Sequence, residues 1–521
     1  MQMKPLRFLT FSFICFLPFL SQSQKYSLKE AEDVWDDYLH EQFFLPRTGQ
    51  TLLFNYASPH GGFSYNRKTD NTTVIAYDTK MRKKYTVEVK ELAGKKYETS
   101  IANNNSLFIF YTDKDGTVYK TEFDPSNGST TGTQKVFSYK ADRQEFFKGV
   151  SPDSSHYFVS CKSSTGKSGS EDYTGVVMDR QMNTVAKFST SSNAERRDIV
   201  ATDQLVSNNG TMFILSTVEV KSERGSYYPF EQQIKQITAD GNTTTSVLSN
   251  LPEGLFDNVS WSVDGNNIVF NGLLSKTKKG NYTSVVSGKF DVAAKKVTNV
   301  KEAELAQVSY IQTSTHSLVK DIVKEGIPTD VSLVSHFYNS DKSSYILLEE
   351  NNSRNHSMGQ YYATGGALGS TSQFGATNYF NDNVYVIKLS PPGEVVWLKV
   401  VAKKQIQSER EVYSSVAVMK DSKNGLHFFF NDHTKNTDAE PNKKVSTVHL
   451  NPKMNNTSLA CAYITADGKM TKTILQNNED AEHFFSPEGF SLVGNNKMLY
   501  TSYKARNMGK STFRLGSLDV K

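Results

Sequence analysis

Eight short apolar runs recur along this chain, centred on Phe54, Phe108, Phe158, Phe213, Val269, Ile346, Phe428 and Tyr500, at steps of 54, 50, 55, 56, 77, 82 and 72 residues. Each run is shorter than an ordinary helix, ends at a turn and is followed by another strand-like run. One such unit cannot bury its own apolar face, but copies stacked around an axis can. The chain is therefore read as all-β, a β-propeller of eight blades with seven as the alternative, each run being the second strand of its blade. Aromatic residues at 12%, with Gly, Asn, Ser and Thr between the runs, suit many strands joined by turns.

The clearest unit runs from Phe147 to Thr190. Strand A near Phe147 to Val150 meets the turn Ser151-Pro152-Asp153-Ser154-Ser155, and His156 to Cys161 returns as strand B. Tyr173 to Met178 and Thr184 to Phe188 follow as strands C and D of one antiparallel blade. Other repeats carry the same punctuation. Trp261-Ser262-Val263-Asp264-Gly265 is placed as an A–B turn, and Ile-Thr-Ala-Asp-Gly occurs twice, at 237–241 and 464–468, as a C–D turn. Asp-Gly suits such hairpins because it tolerates positive φ.

With these turns in place, the chain resembles the bacterial propellers built on TolB-like, WD40-like repeats, marked by an S-P-D-G turn between strands A and B. Ser151-Pro152-Asp153 and Trp261 to Gly265 carry that pattern; Ser486-Pro487-Glu488-Gly489 looks similar but stands twelve residues before Tyr500, out of register. Pro392 to Trp397 also looks like the Gly-x-Val-x-Trp outer strand of secreted Bacteroidota repeat propellers. The resemblance implies a fold and an envelope setting, not a reaction. Trp397 has no repeated counterpart, which sets aside the quinoprotein dehydrogenases.

The first residues read as an export signal. Lys4 and Arg7 precede an apolar run from Phe8 to Leu20, and Ser21-Gln22-Ser23 supplies small residues for cleavage, so residues 1–23 are a signal peptide and the mature chain starts near Gln24. The run is too short to span a bilayer. Without it, 57 basic residues face 54 acidic ones, which gives no reason to expect nucleic acid. Cys161 and Cys461 fall in distant repeats and are expected as buried thiols with no disulfide. The expected location is the periplasm, the outer membrane or the exterior, with no transmembrane segment after cleavage and peripheral membrane association left open.

Residues 24–44 read as a helix and closure segment ahead of a propeller at 45–521. Ser27 and Glu30 form a capping box, and Leu28, Ala31, Trp35 and Tyr38 or Leu39 share a stripe, so a helix is predicted over Leu28 to Phe43. The last blade lacks one strand, which residues near Lys25 to Ser27 are expected to supply.

Three long steps carry insertions: Lys301 to Thr329, with a short helix around Leu318 to Lys324; Asn351 to Asp382; and Asn431 to Thr457. The first is a D–A connection and the others are B–C loops, and both kinds of connection leave a blade at the same face. That face is the expected partner surface. Its candidate residues are Tyr65, Tyr227, Tyr228, Arg354, His356, Tyr361, Tyr362, Phe374, Lys443 and Lys444, aromatic and cationic groups suited to recognition.

Reaction chemistry leaves no comparable mark. The histidines form no zinc-binding spacing, Gly365 to Gly369 is followed by no helix pattern, and Asp113-Lys114-Asp115-Gly116 places its Gly too early for a calcium loop and reads as the blade-two B–C turn. There is no nucleophile elbow. No cofactor, metal or catalytic residue is assigned. The function read from the sequence is a noncatalytic binding or scaffold propeller of the envelope, recognising a protein or a glycan. Two alternatives remain: a polysaccharide- or peptide-acting hydrolase or lyase with its site at the channel mouth, and an accessory subunit of an outer-membrane secretion or uptake complex.

Overall fold

The computed structural model describes residues 25–521 apart from 36–38, 57–71, 104–105, 140–142, 165–168, 221–229, 278–279, 308–323, 357–375, 409–413, 437–444, 451–455, 495 and 505–511. Hydrogen bonding gathers the strands into eight sheets, six of four strands, one of five and one of six. Every predicted centre lies in the second strand of its sheet, from Phe54 in Gln50–Tyr56 to Tyr500 in Lys497–Lys504. The chain is an eight-bladed β-propeller.

The blades are held by what lies between them. Successive sheets enclose separate apolar clusters: Leu52, Phe54 and Ile109 between blades one and two, Phe158 and Ile214 between three and four, Tyr345 and Phe428 between six and seven. The circuit ends with Leu53 and Tyr77 of blade one against Phe513 and Leu515 of blade eight. Strand B runs fully buried because its two faces both pack, one on each neighbouring blade, which is why it reads as a continuous apolar run and not as an alternating one. Cys161 and Cys461 are buried free thiols in blades three and seven, and burial pushes both up to about 12.

Among the described residues of the predicted N-terminal helix there is no helix. Tyr26–Glu30 is a strand, Val34–Trp35 a short second one, and Leu39–Leu45 is strand A of blade one. Tyr26–Glu30 pairs antiparallel with the last strand, Thr512–Val520, from Tyr26 opposite Val520 to Glu30 opposite Gly516. The predicted closure by residues near Lys25 to Ser27 is thus present, while the helix is not. A helix would leave the hydrogen-bonding edge of the last blade open, and the strand fills it. Leu28 also alternates with Tyr26, outside the helical stripe: both pack on the cluster between blades seven and eight, while Lys29 is exposed. Within that blade Gly516 lies under the Tyr500 ring, where a Cβ would stand 2.2 Å from it.

The repeated turns agree in detail. Thr238 and Thr465 each accept a backbone bond from the glycine three residues on, at 2.9 and 2.8 Å, and only Gly241 and Gly468, not the preceding aspartates, take positive φ. Ser486 to Gly489 is not an A–B turn. It is a bulge in strand A of blade eight, Phe484–Gly494, whose register breaks between Ser486 and Ser491. No described helix is long and apolar enough to cross a membrane.

Candidate functional site

The insertions on the B–C and D–A face build a shared structure. In blade six the segment read as a loop over Asn351 to Asp382 begins and ends as a continuation of the hairpin, Ser344–His356 pairing with Ala376–Leu389 past a register shift at Glu349. The outer edge of strand C then meets two partners in turn: strand D, Val395–Val401, and beyond it Gln405–Ser408 from the connection to blade seven. Gln405–Ser408 pairs in parallel with Val448–Leu450 from the B–C insertion of blade seven. Blade six thereby extends into a six-stranded sheet that reaches over blade seven, and Val448 and Leu450 pack on Phe484 of blade eight. The connection after blade five is tied to the same face by reciprocal backbone bonds between Tyr282 and Ile327, at 2.8 and 2.9 Å.

Buried polar groups fix this extension. Lys403 Nζ stands 2.5 Å from Glu349 Oε1 with the side chains 0% and 2% exposed, and it donates to Asn381 O at 2.9 Å and Gln405 Oε1 at 2.8 Å. Gln405 Nε2 donates to Asn431 O at 2.8 Å, and Asn431 Nδ2 donates to Phe485 O at 2.6 Å. The network therefore crosses from blade six through seven to eight.

Between the extension and the disc lies a groove of about 420 Å³ lined by Asp330, Glu350, Phe380, Asp382, Lys404, Ile406, Thr447 and His449. Two of its carboxylates, Glu350 and Asp382, are held in an environment that disfavours charge. Burial raises Glu350, against hydrogen bonds from Tyr385 and Asn383, and the nearby Asp382 and Asp330 raise it further. Burial likewise raises Asp382, opposed by Lys403 and Lys404.

None of the predicted recognition residues is among the described residues that line this groove. Arg354 and His356 belong to the extended hairpin strand, with side chains that are not described. Tyr65, Tyr227, Tyr228, Tyr361, Tyr362, Phe374, Lys443 and Lys444 lie outside the described residues, as does most of the predicted helix at Leu318 to Lys324. The groove residues escaped sequence reading because they come from scattered strands and connections and share no local pattern. Only the insertion lengths pointed to them.

A second cavity, of about 580 Å³, lies on the axis where strands A of blades eight, one, two and three converge. Ser100 to Ala102 and Lys148 to Val150 end their strands, so it lies toward the A–B turns, away from the insertion face. Its charged lining is Glu41 and Lys148, which pair with each other; Lys148 Nζ also donates to Ser100 O at 2.9 Å, and the Tyr97 hydroxyl donates to Glu41. Phe43, Ile101, Val150, Tyr157, Phe490 and Tyr503 supply apolar wall. Gln42 Nε2 donates to the carbonyl of Gly489 in the bulge.

No family model matches the chain, and no curated protein matches it in sequence. Among solved structures it is similar to an apocarotenoid oxygenase of Synechocystis, at 10% identity over 96% of this chain and 97% of that one, with a TM-score of 0.31. It is also similar to an acylaminoacyl peptidase of Pyrococcus horikoshii, at 10% identity over 90% and 59% of the two chains and a TM-score of 0.35. A third is the β-propeller domain of the Trilobed protease from Pyrococcus furiosus, at 9% identity over 73% and 97% and a TM-score of 0.31. These likenesses carry no activity to this chain.

Proposed function

We propose that this chain is a noncatalytic binding propeller of the bacterial cell envelope, exported by its N-terminal signal and working through the insertion face of blades six and seven. The observation that carries the reading is the six-stranded extension, to which two insertions and the connection leaving blade six contribute strands and which a buried ion pair fixes in place. Loops that only filled space would not call for a buried, hydrogen-bonded scaffold, since burying charge is costly. The partner is a protein that brings a cationic segment to the groove, where Glu350 and Asp382 are held against ionisation and gain from a positive neighbour. Glycoside hydrolysis at the axis would call for two carboxylates facing one space. Among the described residues that line the axial cavity there is one carboxylate, Glu41, paired with Lys148.

The test replaces residues 357–375 by a four-residue turn, leaving the paired arms Ser344–His356 and Ala376–Leu389 intact, and separately introduces Glu350→Gln with Asp382→Asn. The wild type, cross-linked in native membranes, should co-purify a stoichiometric partner that both folded variants lose. If both variants retain the same partners, the face is ornamental and the reading fails.

A further inference from the structure

We infer that the face of the A–B and C–D turns, where blades eight and one meet, is a docking surface for the anionic headgroups of a phospholipid bilayer. It lies on the far side of the disc from the insertions. Blade one passes from strand C, Thr73–Tyr77, to strand D, Lys83–Glu88, through Asp78 to Arg82. Lys80, Lys83 and Lys84 are exposed there and have no acidic partner among the described residues. Asp78 is engaged by Arg82 at 2.7 Å and by the backbone N–H groups of Lys80 and Arg82, so it offsets one cation and leaves the three lysines.

Ring closure brings both ends of the described chain to the same place. Lys25 N–H donates to Lys521 O at 3.4 Å and Lys521 N–H to Lys25 O at 2.8 Å, with both side chains exposed. Lys29 Nζ donates to Thr79 O in the blade-one turn at 3.5 Å and stands 3.9 Å from Asp519. Lys497 is opposite Asp519 in the strand register, and its ammonium lies 4.8 Å from the centre of the Phe44 ring of blade one. The cations of the two blades therefore form one continuous patch.

Elsewhere on this face the sign reverses. The corresponding turns of blades three and four carry Asp153, Asp179 and Asp240, against Arg180 alone. The whole chain has a formal charge of only +5, so the field comes from placement and not from the total. A cationic edge on such a disc attracts an anionic surface and sets the orientation in which it arrives.

The position of the N-terminus selects a bilayer as that surface, a step that rests on reading residues 1–23 as an export signal. The apolar run Phe8 to Leu20 ends five residues before Lys25, which lies within the patch. That is a reach of about 17 Å even for a fully extended chain. While the run is held in a membrane, the patch stays within that distance of the headgroups, where lysines gain from anionic lipid. Docking this way leaves the insertion face turned from the bilayer and open to its own partner.

The experiment is co-sedimentation of the chain from Gln24 to Lys521 with phosphatidylcholine vesicles, with and without phosphatidylglycerol, at low and at physiological salt. Starting at Gln24 removes the signal, so the result tests the patch, while the N-terminal sequence of the exported protein tests the signal separately. Binding should require phosphatidylglycerol and weaken as salt rises. Lys80→Gln, Lys83→Gln and Lys84→Gln together should reduce affinity about a hundredfold, at about fivefold per cation, with the thermal midpoint unchanged because all three side chains are exposed. The matched triple Lys187→Gln, Lys295→Gln and Lys296→Gln removes exposed cations of blades three and five and should leave binding as it was. Absence of binding to the anionic vesicles at low salt overturns the inference, as does equal binding to neutral vesicles or equal loss in the two triples. Tighter binding of soluble polyglutamate also overturns it, since the occupant would then be an acidic protein.

Discussion

Lys403 and Glu349 form a fully buried ion pair, 2.5 Å between Nζ and Oε1, that ties the connection leaving blade six to the strand where the blade-six insertion departs. Glu349 stands at the register shift of that hairpin, and Ser415, at the entry to blade seven, also donates to its carboxylate. One acidic side chain therefore sets how the extension leaves the disc.

Removing one partner of such a pair strands a buried charge. Lys403→Met is expected to cost about 3–5 kcal/mol in denaturant unfolding, whereas Lys403→Met combined with Glu349→Leu should recover most of that loss. Equal destabilisation by the single and double variants would show that the pair holds no isolated charge in check.

Ring closure rests on a few residues at the ends of the described chain. Tyr26–Glu30 fills the edge of blade eight, and Arg514 binds Glu30 at 3.0 Å and Asp33 at 2.7 Å. Deleting residues 25–33 should lower the thermal midpoint and increase aggregation from the opened edge. A synthetic peptide of residues 25–35 added in trans should reverse both effects. A deletion variant that melts like the full chain would mean that closure contributes nothing to stability.

Where the structure and the sequence agree, one physical rule was at work: a strand B buried on both faces leaves a continuous apolar run, legible at all eight centres. Turn chemistry was equally legible at Ser151 to Ser155 and at the two Ile-Thr-Ala-Asp-Gly turns. The N-terminal strand was not, because Leu28 belongs both to the helical stripe with Ala31 and Trp35 and to an alternation with Tyr26, and only the open edge of a strand nearly 500 residues later decides between them. The groove was invisible for a related reason. Asp330, Glu350, Asp382 and His449 are brought together by the pairing of Gln405–Ser408 with two distant strands, and nothing local in those four residues announces it.

His336, in strand A of blade six, is a partly buried histidine, and desolvation lowers it to about 4. A neutral ring satisfies its neighbours, with Ser262 Oγ and Asn271 Nδ2 each at 3.3 Å. The unfolded chain binds this proton below pH 6.5 and the folded chain only near pH 4. The contribution to stability is therefore complete above pH 6.5 and is lost as pH falls toward 4, by about 3 kcal/mol at most. His336→Asn should remove that slope: the stability difference between wild type and variant, from urea unfolding at several pH values, should shift in the variant's favour between pH 6.5 and 4. A difference independent of pH would mean that His336 accepts its proton in the folded state as readily as in the unfolded one.

Asp382 offers the sharpest separation of function from stability. Burial raises it above its ordinary value of 3.8, despite Lys403 and Lys404 nearby, so its ionised form is a net cost to the folded protein at neutral pH. The sign follows: its contribution is most favourable below its unfolded pKa and declines as pH rises through the higher folded value. Asp382→Asn, which keeps the shape and removes the charge, should unfold at a higher denaturant concentration than the wild type at pH 7, with the gain disappearing as the pH falls below about 4. The same variant should bind the proposed partner more weakly, because the groove then offers a cationic segment one carboxylate fewer. Retaining a destabilising acid is expected where it serves recognition. A variant less stable than the wild type at neutral pH would make Asp382 a structural residue and remove it from the proposed binding surface.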